Sequence, residues 1–139
     1  MDADTLARQV AAAMWARDQA SQSLGMRLGE VGAGRASIHL TVTAAHCNGF
    51  GILHGGLLAA LADSAFAFAC NSANALTVAS GFDIDLLKSA HVGDELQAHA
   101  RCLHQGGRNG LYEVEVRRGE ELIAVFRGRS QRLKDRKVI

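Results

Sequence analysis

Proline is absent from all 139 residues. Turns must therefore rest on the 15 glycines and on Asn and Asp. Cysteine is scarce as well. Cys47, Cys70 and Cys102 are odd in number and show no CxxC or metal-ligand spacing. That argues against a disulfide framework or a metal site and leaves three free thiols. Charge of either sign is not in excess: the formal net charge is +1, which gives no electrostatic case for general nucleic-acid or membrane binding. The first residues, MDADTLARQVAAAMW, carry acids where a secretory signal needs bases, so a cytoplasmic protein is expected.

What is present is globular. Hydrophobic residues make up 48% and charged residues 21%, and 139 residues form one ordinary domain, 1–139, with a core of its own. No internal repeat, linker or low-complexity segment divides it.

The stretch His54–Ser72, HGGLLAALADSAFAFACNS, dominates the pattern. Apolar and small residues cover every helical face, so the helix is sheathed on most sides. Its length invites a membrane-spanning reading. Asp63, Asn71, two glycines and many alanines make insertion poor. The spacing predicts a buried central helix with one carboxylate, Asp63, in its middle.

Around it the chain reads in order. Residues 3–21 form an amphipathic helix with Leu6, Val10, Met14 and Trp15 at helical spacing and Asp2 or Asp4 as cap. MRLGEV and RASIHLTV are two strands joined at Gly32-Ala33-Gly34. Residues 44–53 are an irregular, Gly- and Asn-rich connection into the central helix, the kind of loop that carries binding groups. After a turn at Asn71–Ala75, a long strand over 76–88 is bulged near Gly81. Strands over 95–105, 111–118 and 121–133 follow, joined by GGRNG and Gly119-Glu120, and the last six residues are expected to fray. The class is α+β: an antiparallel sheet of about six strands curled around one long helix, plus an N-terminal helix.

Two features of the central helix admit chemistry. Gly55 and Gly56 open it, and the first N–H groups of a helix lack intrahelical partners and sit at the positive end of the dipole. They either polarise a carbonyl oxygen or simply permit tight packing. Asp63 is either a paired structural acid or a general base or nucleophile tuned by apolar surroundings. Gly55 and Asp63 are eight residues apart, about 12 Å along the axis. Both must lie within roughly 3–4 Å of one reacting carbonyl if they act together. One helix cannot do this, so a functional reading implies a homodimer with two composite sites.

The run CNGFGILHGGLLAALADSAFAFACNS resembles the signature of the hotdog-fold acyl-CoA thioesterases, and among them the phenylacetate-degradation (PaaI) type. The spacing Asn-x5-His-Gly-Gly-x6-Asp carries most of the resemblance. VAS and DIDLLK (78–88), HQGGRNGLYEVEV (104–116) and AVFRGRSQRL (124–133) extend it over most of the chain. The resemblance implies a hotdog fold and a thioesterase releasing CoA from an aryl-acetyl thioester such as phenylacetyl-CoA or its hydroxylated forms. Asp63 would act as general base or nucleophile, and the Gly55 N–H would polarise the carbonyl from the other protomer. Asn48 would place the water or the acid, and His54 would support. Gly56, Phe66 and Phe82 join the substrate site, with Phe50, Leu53 and Phe68 as further candidates for the acyl pocket.

For the CoA phosphates the resemblance points to Lys88, Arg108, Gly106 and Gly107, with Arg127 and Arg129 ranked below. Lys88-Ser89 stands where that family commonly has Arg-Pro, and a lysine meets phosphate without a planar fork. No cofactor is implied, CoA being part of the substrate. The implied partner is a second copy of the chain, in a dimer or a homotetramer built as a dimer of dimers. Two other readings are a hotdog hydratase or dehydratase, with His54 pressed into service as base, and a non-catalytic acyl-CoA-binding domain.

Overall fold

The computed structural model describes all residues, Met1–Ile139. The N-terminal helix is two helices rather than one. Helix α1 spans Ala3–Arg17 and α2 spans Gln19–Ser23. Asp2 caps α1, its carboxylate accepting the Thr5 N–H at 2.8 Å. Asp18 breaks the run because its carboxylate accepts the Ser21 N–H at 2.9 Å, an N-cap interaction that competes with continuing the helix. The Ser21 and Ser64 hydroxyls, 2.9 Å apart, then tie α2 to the central helix.

Strands β1 (Arg27–Gly32), β2 (Arg35–Thr41), β3 (Thr77–Leu86), β4 (Glu95–Gly106), β5 (Asn109–Arg118) and β6 (Glu121–Arg132) form one sheet in the order β1-β2-β4-β5-β6-β3. Every pairing is antiparallel. The central helix α3, Gly55–Cys70, lies across β2 and β4 on the concave face. Alternation decides which side chains meet it. Ala36, Ile38 and Leu40 of β2, Leu96, Ala98 and Ala100 of β4, and Val114 and Val116 of β5 are all buried. Alanines on both β2 and β4 let α3 settle close. Leu58, Leu61, Ala62, Ala65 and Ala69 fill the space from the helix side. Full burial of each large apolar side chain contributes about 1.5–3 kcal/mol.

Sequence and structure agree on the bulge in β3, where the register slips between Ala79 and Gly81. They differ at the β4–β5 connection. Only Gly107 and Arg108 lie outside the strands, with Gly107 at φ 59°, so the turn is tighter than GGRNG suggests. They differ again at the C-terminus, which is tied down rather than frayed. The Asn74 amide oxygen accepts the Val138 and Ile139 N–H groups, and Leu76 N–H donates to the Arg136 carbonyl at 3.0 Å. No helix is long and apolar enough to cross a membrane.

Candidate active site

The loop before α3 is held by His46, a residue outside every motif singled out above. His46 is buried. Its Nδ1 accepts the Thr43 N–H at 2.9 Å, which leaves Nε2–H to donate to the Leu24 carbonyl at 2.6 Å. The His46 carbonyl accepts the His54 N–H at 3.0 Å and so fixes the start of α3. The only hint in the chain is Thr43 three residues ahead, a capping pattern.

Asn48 folds the loop over itself. Its Oδ1 accepts the Phe50 N–H at 2.9 Å and lies 3.4 Å from the Ile52 N. The turn role and the site role are compatible. With Oδ1 held by the backbone, the Nδ2 donors have no partner in the chain, and Asn48 lines the cleft described below.

At the N-terminus of α3 the two glycines differ. His54 is the N-cap residue, and its Nδ1 accepts the Gly56 N–H at 2.9 Å. The neighbouring Gly55 N–H has no acceptor in the chain. Capping thus consumes one of the helix's free donors and leaves another. It also commits His54 Nδ1 as an acceptor, which makes the imidazole a poor candidate for a hydratase base.

The free Gly55 N–H sits at a cleft of about 190 Å³ lined by Asn48, Leu53, Gly55, Leu86, Lys88 and Ser89, among others. Three of the predicted site residues, Asn48, Gly55 and Lys88, therefore meet here. Lys88 reaches the cleft rim but is neutralised, its Nζ 2.7 Å from a Glu121 carboxylate oxygen.

Asp63 does not line that cleft. It lies two turns further along α3, half-buried, with no hydrogen bond or ion pair in the chain. Burial alone pushes its carboxyl above the ordinary range. An acid without a partner, held in apolar surroundings, is suited to accept a proton. The paired-structural-acid reading is not what this chain contains.

The remaining candidates are spread out. Phe66 is core rather than pocket in this chain: it is fully buried with ring centroids 5.5 Å from Tyr112 and 5.7 Å from Phe126. The reason is its helical position, which turns the ring onto β5 and β6. Phe68 is likewise buried, against Trp15 at 6.0 Å, and Leu53 is buried. Phe82 is 42% exposed on β3 and stacks on Phe126 at 4.8 Å. Phe50, at 89% exposed, stands clear of the loop. Gly106, Gly107 and Arg108 lie at the opposite end of the sheet from Lys88, so these candidate phosphate contacts do not converge within one chain. Arg127 and Arg129 are occupied by Glu113 and Asp83. The Cys70 thiol is buried and pushed up to about 12, which removes it as a nucleophile.

Comparison with known proteins identifies the family and the fold. Residues 50–125 match the thioesterase superfamily. The acyl-coenzyme A thioesterase PaaI of Escherichia coli K12 is 42% identical over 126 residues, 90% of either chain. The structure of the E. coli PaaI protein from the phenylacetic acid degradation operon superposes with a TM-score of 0.93 at 40% identity, covering 95% of this chain and 96% of that one. A mutant of the phenylacetic acid degradation protein PaaI from Thermus thermophilus gives a TM-score of 0.81 at 34% identity, over 84% of this chain and 100% of its own. A buried all-round helix inside a six-stranded antiparallel sheet, the Asn48-His54-Gly55-Asp63 spacing and these matches place the chain in the thioesterase superfamily, as a hotdog-fold acyl-CoA thioesterase of the PaaI type.

Proposed function

We propose that this chain hydrolyses aryl-acyl-CoA thioesters, phenylacetyl-CoA or hydroxyphenylacetyl-CoA, to the free acid and CoA. The observation that carries the reading is the pairing of a free Gly55 N–H at a cleft with an unpartnered Asp63 two turns away. The phenylacetic acid degradation named for the E. coli and T. thermophilus structures supports the aryl-acetyl choice.

The thioester carbonyl oxygen accepts the Gly55 N–H, which stabilises the oxyanion as the tetrahedral intermediate forms. Asp63 of the other protomer takes a proton from the attacking water, or attacks the carbonyl itself and is released by water. Asn48 Nδ2 positions the water or the acid. The intermediate collapses by breaking the C–S bond, and CoA leaves as a thiolate that takes up a proton. The reaction draws on no cofactor.

The eight-residue separation between Gly55 and Asp63 requires two chains. The exposed apolar edge of β3, with Phe82 at 42% and Leu86 at 53% exposed, supports pairing there. Two such dimers would make the tetramer, acting in the cytoplasm. Asp63→Ala tests the reading. CoA release should fall by about 10² or more while the oligomer persists. Retained turnover sinks the assignment. A single turnover in labelled water separates base from nucleophile, because only direct attack puts label into the Asp63 carboxylate.

A further inference from the structure

Of the six histidines only His46 is buried. Both of its ring nitrogens are used. Nδ1 accepts the Thr43 N–H at 2.9 Å and lies 3.1 Å from Thr43 Oγ1, while Nε2–H donates to the Leu24 carbonyl at 2.6 Å. Only the neutral imidazole protonated on Nε2 serves both partners. The two contacts differ in reach. Thr43, three residues away, closes a local turn. Leu24, 22 residues away, is the C-terminal cap of α2. A buried side chain bonded to a distant element at one end and to its own loop at the other fixes the second against the first.

Helix α2 is itself tied to the central helix. The Ser21 hydroxyl donates to the Asp18 carboxylate at 2.7 Å, so the Ser64 hydroxyl donates to Ser21 Oγ at 2.9 Å. Ser64 directly follows Asp63 on α3. At the other end, the His46 carbonyl accepts the His54 N–H at 3.0 Å, and His54 leaves the Gly55 N–H as the free donor. A brace therefore runs alongside α3 from Ser64 through Ser21, Leu24 and His46 to His54. Gly55 and Ser64 are nine residues apart, about 14 Å along the axis. From Ser21 to Leu24 is only about 5 Å of helix, so the imidazole and its loop must supply the remaining reach.

We propose that His46 is a positioning residue for thioester hydrolysis: its Nε2–H contact with Leu24 holds the loop over 44–53, and with it the Gly55 N–H, at a fixed place relative to the Asp63 segment of α3. The proposal rests on the thioesterase reading. His46 touches no substrate and moves no proton. It acts through His54 and the start of α3, so the thioester carbonyl meets the Gly55 N–H where the brace puts it. A displacement of about 1 Å at such a donor costs on the order of 10² in rate. The donor matters most when charge develops on the oxygen, so the loss falls on kcat rather than on KM.

The test uses the full-length oligomer and phenylacetyl-CoA. His46→Asn keeps an acceptor for the Thr43 N–H but is too short to reach Leu24, whereas His46→Gln keeps an N–H that reaches it. In His46→Asn kcat should fall by about tenfold or more, with KM within about twofold. His46→Gln should return kcat to within about threefold of wild type. Ser64→Ala suits a helix, leaves Ser21 bonded to Asp18 and frees α2 from α3 without touching His46. It should lower kcat too, and the double variant with His46→Asn should lose no more than His46→Asn alone, because both cut one brace. Hydrogen–deuterium exchange over 54–58 should quicken in His46→Asn and recover in His46→Gln. Unchanged kcat in His46→Asn would overturn the proposal. So would a rise in KM with kcat held, a glutamine no better than asparagine, or losses that simply add. If His46→Asn does not fold, Ser64→Ala decides, and its unchanged kcat would overturn the proposal. A wild type that hydrolyses no thioester would sink the activity. Exchange that still depends on His46 would then leave the brace standing, and exchange that does not would remove both.

Discussion

His54 Nδ1 accepts the Gly56 N–H at 2.9 Å, while the Gly55 N–H immediately before it meets no acceptor in the chain. One side chain therefore decides which helix donor is left free. His54→Ala should lower stability by about 1 kcal/mol through loss of the cap. His54→Asn keeps a side-chain acceptor and should recover most of that. Urea unfolding and kcat/KM measured together check the assignment. Turnover by His54→Asn should stay within about tenfold of wild type, because the imidazole moves no proton. A loss of about 10² or more in both variants would make His54 a base instead.

Gly55→Ala separates folding from function at the neighbouring residue. An added Cβ would meet only Leu86 Cδ1, at 3.1 Å, the far end of a flexible side chain that needs to shift by only a few tenths of an ångström. Alanine is also the better helix former, by up to about 1 kcal/mol. The variant should fold at least as well as wild type. A methyl beside the free N–H obstructs the approach of a carbonyl, so kcat/KM should drop by about 10–10². Full activity with unchanged stability would remove Gly55 from the site.

Gly128→Ala probes the opposite situation, a glycine whose space is taken by a rigid ring. The added Cβ would lie 2.8 Å from the Phe66 ring, which Tyr112 and Phe126 hold in place. Overpacking of this kind costs about 1–3 kcal/mol. The midpoint of denaturant unfolding should fall with an unchanged slope. Activity should fall as well, since Phe66 sits one turn from Asp63 on α3.

The elements that repeat a simple period were legible in the sequence. Apolar residues all round His54–Ser72 marked α3, and the alternation in β2, β4 and β5 marked the curled sheet. The eight-residue gap between Gly55 and Asp63 is likewise a matter of counting, and it is what makes a site shared by two chains the functional expectation. What stayed hidden depends on who meets whom across the fold. The amphipathic pattern runs through Asp18, yet its carboxylate caps α2 and breaks the helix. The terminal six residues look frayed until Asn74, distant in sequence, is found holding them. Lys88 reads as an unpaired cation until Glu121, 33 residues away, is seen 2.7 Å from it. Phe66 and Phe82 are both phenylalanines offered for the acyl pocket, and only packing sends one to the core and leaves the other partly exposed on the edge strand.

Asp63 links the pH dependence of stability to that of catalysis. Burial raises its carboxyl above the ordinary 3.8, so the folded state holds the proton more tightly than the unfolded chain does. Below pH 3.8 both states are protonated and the group is neutral to stability. As pH rises from there through the higher folded value, the unfolded chain releases its proton first and stability falls. Above the folded value the cost of the buried charge is fully in place. Asn at this position never ionises. Asp63→Asn should therefore be the more stable protein at pH 7, and its advantage should shrink toward zero as pH falls to about 3.8, at matched protein concentration. In the wild type, kcat/KM should lose activity on the acid side with an apparent pKa above 3.8, whereas Asp63→Asn should be inactive throughout. Urea titrations at a series of pH values measure the first relation and initial rates the second. A variant no more stable than wild type at pH 7 would mean that the assembled protein provides the carboxylate with a partner.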